Sequence, residues 1–311
     1  MKLVYMGTPD FAVPTLETLI NSKHEVVAVV TQPDKPKGRG KEVQYTPVKK
    51  VALKYNIPVY QPVKVRDSEF VSLLRELNAD AIIVAAFGQI LSKEIIDMPP
   101  YGCINVHASL LPKYRGAAPI QWCVINGEKE TGITAMHMDT GIDTGDMLKK
   151  VIVPIDEKET GSSLHDKLSV LGGPIILETL DELEKGTIIP EKQDDSQSCN
   201  AKMLSKTMGK IDWNLSAVVI ERLIRGLNSW PSAFTSYKGK TLKIWEADVL
   251  PHQSATPGEI LEQTKDSLLV ATGDGVLAIK EVQLEGKKRM KIDAFLRGNS
   301  VENGTILGME G

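Results

Sequence analysis

Asn105 and His107 stand two residues apart at the end of the apolar run Cys-Ile-Asn-Val-His. On a strand that spacing sends both side chains to one face, and at the carboxyl edge of an open α/β sheet that face is where ligands bind. An amide and an imidazole would then share one small volume, although an Asn-x-His strand end can equally be a turn cap with a satisfied histidine. Downstream, Asp139-Thr-Gly-Ile-Asp-Thr-Gly-Asp146 carries three carboxylates and two glycines, and glycine lets a backbone approach a ligand closely. A carboxylate from this loop beside His107 would orient the ring. Together these groups suit acyl transfer to an amine: amide and imidazole hydrogens can meet an oxyanion, and a histidine–carboxylate pair can take the surplus proton of the amine.

The elements that must position these residues follow from periodicity. Short β-branched runs at 3–6, 26–31, 81–86 and 103–107 alternate with amphipathic stretches, in which Phe11, Leu16, Leu19 and Ile20, and later Phe70, Leu73, Leu74 and Leu77, fall at helical spacing. That alternation predicts a doubly wound, Rossmann-like α/β core with a parallel sheet, extended by strands near 131–137 and 148–153. Residues 163–183 read as one long helix weakened by Gly172-Gly-Pro174. The polar, aperiodic stretch 188–206 reads as a linker. Beyond it, a helix near 217–226 precedes five short alternating runs separated by Gly and Pro turns, which predicts a small β-barrel of OB-like type. The expected organisation is a catalytic domain over 1–187, a linker over 188–206 and a C-terminal barrel over 207–311.

The chain has 311 residues, 42% hydrophobic and 25% charged, as a soluble protein with two packed cores requires. Its longest apolar run, 81–87, is far short of the ~20 residues of a membrane-spanning helix, and its first residues do not read as a targeting peptide, so a cytoplasmic protein is expected. Three widely spaced cysteines suggest neither a disulfide framework nor a zinc site, and no metal is expected. The loop after the first strand lacks G-x-G-x-x-G, which disfavours a nicotinamide cofactor. Net charge is −3, yet residues 31–50 gather Lys35, Lys37, Arg39, Lys41, Lys49 and Lys50 against Asp34 and Glu42. Prolines and glycines mark 33–40 as a mobile surface loop. Lys287-Lys288-Arg289 reads either as an exposed hairpin or as a phosphate contact. Trp213, Trp230 and Trp245 read as core or interdomain anchors rather than an RNA-stacking set, and His137 as a packed strand residue.

Asn105-x-His107, the following Ser109-Leu110-Leu111-Pro112 and Asp143 within Ile-Asp-Thr-Gly-Asp, in that order, resemble the signature of the folate-dependent formyltransferases. Along its whole length the chain is similar to the members of that family that formylate methionyl initiator tRNA, from Gly7-Thr-Pro-Asp-Phe-Ala-Val13 through Ile211-Asp-Trp213 and Trp230-Pro-Ser-Ala233 to Phe295-Leu-Arg-Gly298. The resemblance implies 10-formyltetrahydrofolate as formyl donor and Asn105, His107 and Asp143 as the catalytic set. It places Ser109, Leu110, Leu111 and Pro112 against the folate, and lines the pterin pocket with Phe87, Gly88, Gln89, Ile90 and Leu91 and with the loop that begins at Asp139. Arg39, with its neighbours Lys35, Lys37 and Lys41, would meet the tRNA acceptor stem. A formyltransferase acting on a small amine is the nearest alternative; the basic 31–50 stretch and the additional C-terminal domain are surplus to such a substrate. A tRNA-binding or folate-sensing protein without turnover would not need the three catalytic side chains together.

Overall fold

The structure, a computed structural model, describes residues 1–37, 42–251 and 254–308. The chain divides into two compact units. The first comprises Met1–Pro119, Glu130–Pro154 and His165–Ala201; the second comprises Ile120–Lys129, Ile155–Leu164 and the chain from Lys202 onward.

In chain order, the first unit begins with β1 (Lys2–Gly7), α1 (Val13–Ile20) and β2 (Glu25–Val30), followed by the ribbon β3 (Lys35–Lys37) and β4 (Glu42–Gln44). It continues with α2 (Pro47–Lys54), β5 (Val59–Tyr60), α3 (Ser68–Glu76), β6 (Ala81–Ala85), α4 (Lys93–Ile96), β7 (Cys103–His107) and β8 (Arg115–Gly116). After α5 (Pro119–Asn126) come β9 (Glu130–His137), β10 (Met147–Pro154), α6 (Gly161–Ser169), α7 (Gly172–Lys185) and β11 (Asn200–Ala201). The main sheet has the order β10-β9-β7-β6-β1-β2-β5. Its five strands from β7 to β5 are parallel, and β9 and β10 extend it antiparallel. The doubly wound core and its extension are therefore as the periodicity predicts. Every residue of β6 and all of β1 after Lys2 are buried, as strands covered on both faces must be. Val4 and Met6 pack with Val71, Leu74 and Ile95 on one side.

Three local features depart from expectation. Residues 163–183 form two helices, because the chain turns at Val170–Leu171 and restarts at Gly172; Pro174 then lies in a first turn, where its missing N–H is not needed. Within the stretch 33–40, read as a loop, residues 35–37 form a strand: Lys35 pairs with Gln44 and Lys37 with Glu42. The stretch 188–206, read as a linker, is bonded to the first unit as far as Ala201. Met147 and Glu191 exchange two 2.8 Å backbone bonds, and β11 runs parallel to β8. A polar composition reports where side chains point, not where backbone groups are paired, so the pairing left no trace in the sequence. For the same reason 120–129 and 155–164, placed by sequence in the catalytic domain, group with the second unit.

The second unit carries α8 (Ala217–Gly226), β12 (Ala233–Tyr237), β13 (Lys240–Leu250), β14 (Ile260–Gln263), β15 (Leu268–Ala271), β16 (Val276–Leu284), β17 (Met290–Lys291) and α9 (Ile292–Gly298). Its antiparallel sheet has the order β12-β13-β16-β15-β14, with β17 added to β16. Register shifts in β13 and β14 supply the bends that coil a short sheet into a partly open barrel. Trp213, bonded through Nε1 to Thr235 Oγ1 at 3.0 Å, sits in the core with Ile220, Ile244 and Phe295. Trp230 is exposed. The ring of Trp245 lies beneath the Arg289 guanidinium, 4.7 Å from its centroid.

Candidate active site

Strand β7 carries Asn105 and His107 to the carboxyl edge of the sheet, between β6 and β9. The buried His107 places Nε2 2.9 Å from the carbonyl oxygen of Tyr114. A carbonyl can only accept, so Nε2 carries the hydrogen and Nδ1 is the atom presented to the site. Nδ1 lies 3.6 Å from Asp143 Oδ2, beyond a direct hydrogen bond. Asn105 Nδ2 donates to Asp143 Oδ1 at 3.3 Å, and the backbone N–H of Gly116 donates to Oδ2 at 2.9 Å. One carboxylate thus faces all three groups.

The loops that bring them together are closed by their own side chains. After β7, Ser109 Oγ donates to the carbonyl of Lys113 at 2.7 Å, while Thr134 Oγ1 donates to Ser109 O and accepts from the Leu111 N–H. Ser109 is fully buried, and the Leu111–Pro112 peptide is cis. In the 138–146 loop, Asp139 Oδ1 accepts from Gly141 N and Thr144 Oγ1. Gly145 packs so tightly that a Cβ would lie 1.9 Å from His137 O. Asp143 itself has φ of 54°, a left-handed conformation uncommon outside glycine and tolerated by aspartate as a single residue.

The other predicted site residues are placed unequally. Phe87 and Leu91 are buried, and Gln89 binds the 62–65 backbone, accepting from Val65 N and donating to Pro62 O. Ile90 is 74% exposed. The Phe87 carbonyl accepts from Thr8 Oγ1 and Gln32 Nε2, which ties together the loops after β1, β2 and β6. Lys35 and Lys37 lie on the β3 ribbon; Arg39 and Lys41 lie outside the described residues. Lys287 and Lys288 are exposed, whereas Arg289 is engaged with Glu281 at 2.5 Å and with Trp245, and holds the Glu281 carboxyl below its usual range. His137 is partly buried, and burial lowers its pKa. Residues that sequence reasoning missed are Tyr114, Gly116, Thr134 and Gln193. Only Thr134, a hydroxyl inside the apolar run Ile-Thr-Ala-Met, left a signal.

The chain matches two family models, Formyl transferase over residues 1–180 and Formyl transferase, C-terminal domain, over 203–300. It is 56% identical to the methionyl-tRNA formyltransferase of Lachnospira eligens, over 99% of this chain and 100% of that one. With that of Agathobacter rectalis it shares 57%, over 98% and 99%. The chain belongs to the methionyl-tRNA formyltransferases. Among solved structures, the formyltransferase of this kind from Clostridium thermocellum superposes with a TM-score of 0.55 at 20% identity, covering 91% of this chain and 98% of that one. An N-formyltransferase from Helicobacter canadensis superposes at 0.64 and 19%, over 90% and 99%. These two likenesses concern the fold alone. The resemblance read from the Asn105, His107 and Asp143 motifs thus extends over both halves of a formyltransferase.

Proposed function

We propose that this chain transfers the formyl group of 10-formyltetrahydrofolate to the α-amino group of methionyl initiator tRNA. The observation that carries the reading is the Asp143 carboxylate facing the Asn105 amide and the His107 ring at once. The amine nitrogen attacks the formyl carbon and the carbonyl oxygen becomes an oxyanion. Asn105 Nδ2 spends one hydrogen on Asp143 and has a second for the oxyanion, and His107 Nδ1 serves the same centre when it carries a proton. Asp143 takes the proton that the amine loses, directly or through water, and collapse of the tetrahedral centre returns a proton to the departing folate nitrogen.

In this reading 109–112, the 87–91 loop and the loop begun by Asp139 border the folate. Exposed Ile90 and Ile142 supply apolar contact for a planar ring. Gln89, engaged through both its amide oxygen and nitrogen, and Asp139, engaged through Oδ1, act by shaping backbone. Lys35, Lys37, Arg39 and Lys41 on one unit and Lys287 and Lys288 on the other meet tRNA phosphates, with Arg289, engaged by Glu281 and Trp245, bracing the turn that carries those two lysines. No helix among the described residues is long and apolar enough to cross a membrane. The test is transfer of a labelled formyl group from 10-formyltetrahydrofolate to methionyl initiator tRNA, with free methionine as control acceptor. Label on the tRNA alone is expected; equal labelling of free methionine would sink the assignment of acceptor.

A further inference from the structure

The segment 191–201 crosses both loops of the site. Its Asn200–Ala201 strand holds Arg115–Gly116, the Ala201 carbonyl accepts from Ala117 N at 2.9 Å, and Cys199 accepts from Arg115 N through its carbonyl and from Tyr114 N through Sγ. These bonds fix Tyr114, whose carbonyl seats His107, and Gly116, whose N–H meets Asp143. On the other side of the carboxylate stands Gln193. Its Nε2 donates to the carbonyls of Asp143 and Gly145, both at 2.8 Å, and its Oε1 accepts from Arg115 Nε at 2.9 Å. Two acceptors on one side and a donor on the other leave a single orientation for the amide. Arg115 is 12% exposed and is braced by Asp195 at 2.8 Å. Gln193 therefore joins the two loops that carry Asp143 and its backbone donor, and it grips Asp143 at its left-handed backbone.

We infer that Gln193 is a positioning residue for formyl transfer: by binding the Asp143 and Gly145 carbonyls and the Arg115 guanidinium, it sets the Asp143 carboxylate against Asn105 and His107. The inference rests on the role proposed for Asp143. A carboxylate displaced by about 1 Å can cost two orders of magnitude in rate while leaving binding intact.

The test is single-turnover transfer to methionyl initiator tRNA by the full chain and by Gln193→Ala, Arg115→Lys, Asp143→Ala and the Gln193→Ala/Asp143→Ala double variant, with KM for both substrates and melting temperature. Gln193→Ala is expected to slow transfer by about 10- to 100-fold with KM little changed. Arg115→Lys keeps a charge for Asp195 but loses the Nε bond, and is expected to slow transfer less. In the Asp143→Ala background the Gln193 substitution is expected to add nothing, because its effect runs through that carboxylate. A wild-type rate in Gln193→Ala, or the same fold-loss with and without Asp143, overturns the inference. A wild-type rate in Asp143→Ala removes the role of Asp143 itself, and the inference with it. Should Gln193→Ala fail to fold, Arg115→Lys completes the same cycle with Asp143→Ala.

Discussion

Asp143 receives hydrogen bonds from a side chain on β7 and from the Gly116 N–H on β8, so its position reports on two elements at once. Asn105 has the simpler task, since one of its two amide hydrogens is committed and one is free to meet a developing negative charge. Asn105→Ala is expected to lower kcat by roughly 10²- to 10³-fold, the size of a lost oxyanion donor, with tRNA and folate affinities nearly unchanged. A single-turnover rate close to wild type would take Asn105 out of the catalytic set. His24 and His137 report on stability instead. Burial lowers the pKa of both, aided at His24 by the N-terminal ammonium, which lies 3.3 Å from Nδ1. Above the ordinary histidine pKa of ~6.5 both are neutral folded or unfolded. As pH falls below it the unfolded chain takes up protons that the folded chain resists, so stability declines. Urea midpoints at pH 7.5 and 5.5 are expected to diverge in the wild type and to diverge less in a His24→Gln/His137→Gln variant.

Between elements, α7 approaches α1 closely through two glycines. A Cβ on Gly172 would stand 2.4 Å from Thr15 Oγ1, and one on Gly173 2.2 Å from Thr18 Oγ1. The glycines that weaken a continuous helix are thus the ones that let two helices cover one face of the sheet at short range. Splitting the helix at Gly172 seats them there, and Gly172 also comes near Val106 of the strand that bears His107. Gly173→Ala gains helix propensity but overpacks this contact, and a net loss of about 1–3 kcal/mol is expected. Chemical denaturation of the variant measures it. A midpoint equal to or above that of the wild type would show that the helices can part without cost.

At the scale of the whole molecule, the proposed tRNA contacts fall on both units. The first unit holds Asn105, His107 and Asp143, the proposed catalytic set, and the second presents Lys287 and Lys288 in an exposed turn beside Arg289, which its own unit already engages. Replacing Lys287 and Lys288 together by Ala is expected to weaken tRNA binding and to flatten the dependence of log K on log salt by up to roughly two units, with folate binding and thermal stability unchanged. Arg289→Ala, by contrast, is expected to lower the melting temperature, since it leaves Glu281 with only the longer Lys291 contact at 3.8 Å and removes the guanidinium from the ring of Trp245. Parallel salt curves for wild type and the double lysine variant would remove those lysines from the tRNA surface.

Much of this was legible without coordinates, because it depends on local pattern. The period-two and helical-period runs determined β1, β2, β6, β7 and β12 to β16, though not the two-residue β17, since burial on a strand or helix face repeats along the chain. The Asn-x-His spacing placed two side chains on one strand face, and the motif around Asp143 resembled a known family. What the pattern could not carry was pairing between segments distant in sequence. Nothing in the polar run containing Gln193 shows that its amide spans two carbonyls fifty residues away, and nothing in Arg115-Gly116 shows that a strand from 200–201 lies against it. The assignment of 188–201 to the first unit and of 120–129 and 155–164 to the second was likewise decided by tertiary structure. Apart from proline, every residue offers the same backbone donor and acceptor, so which of them meet is written only in the folded chain.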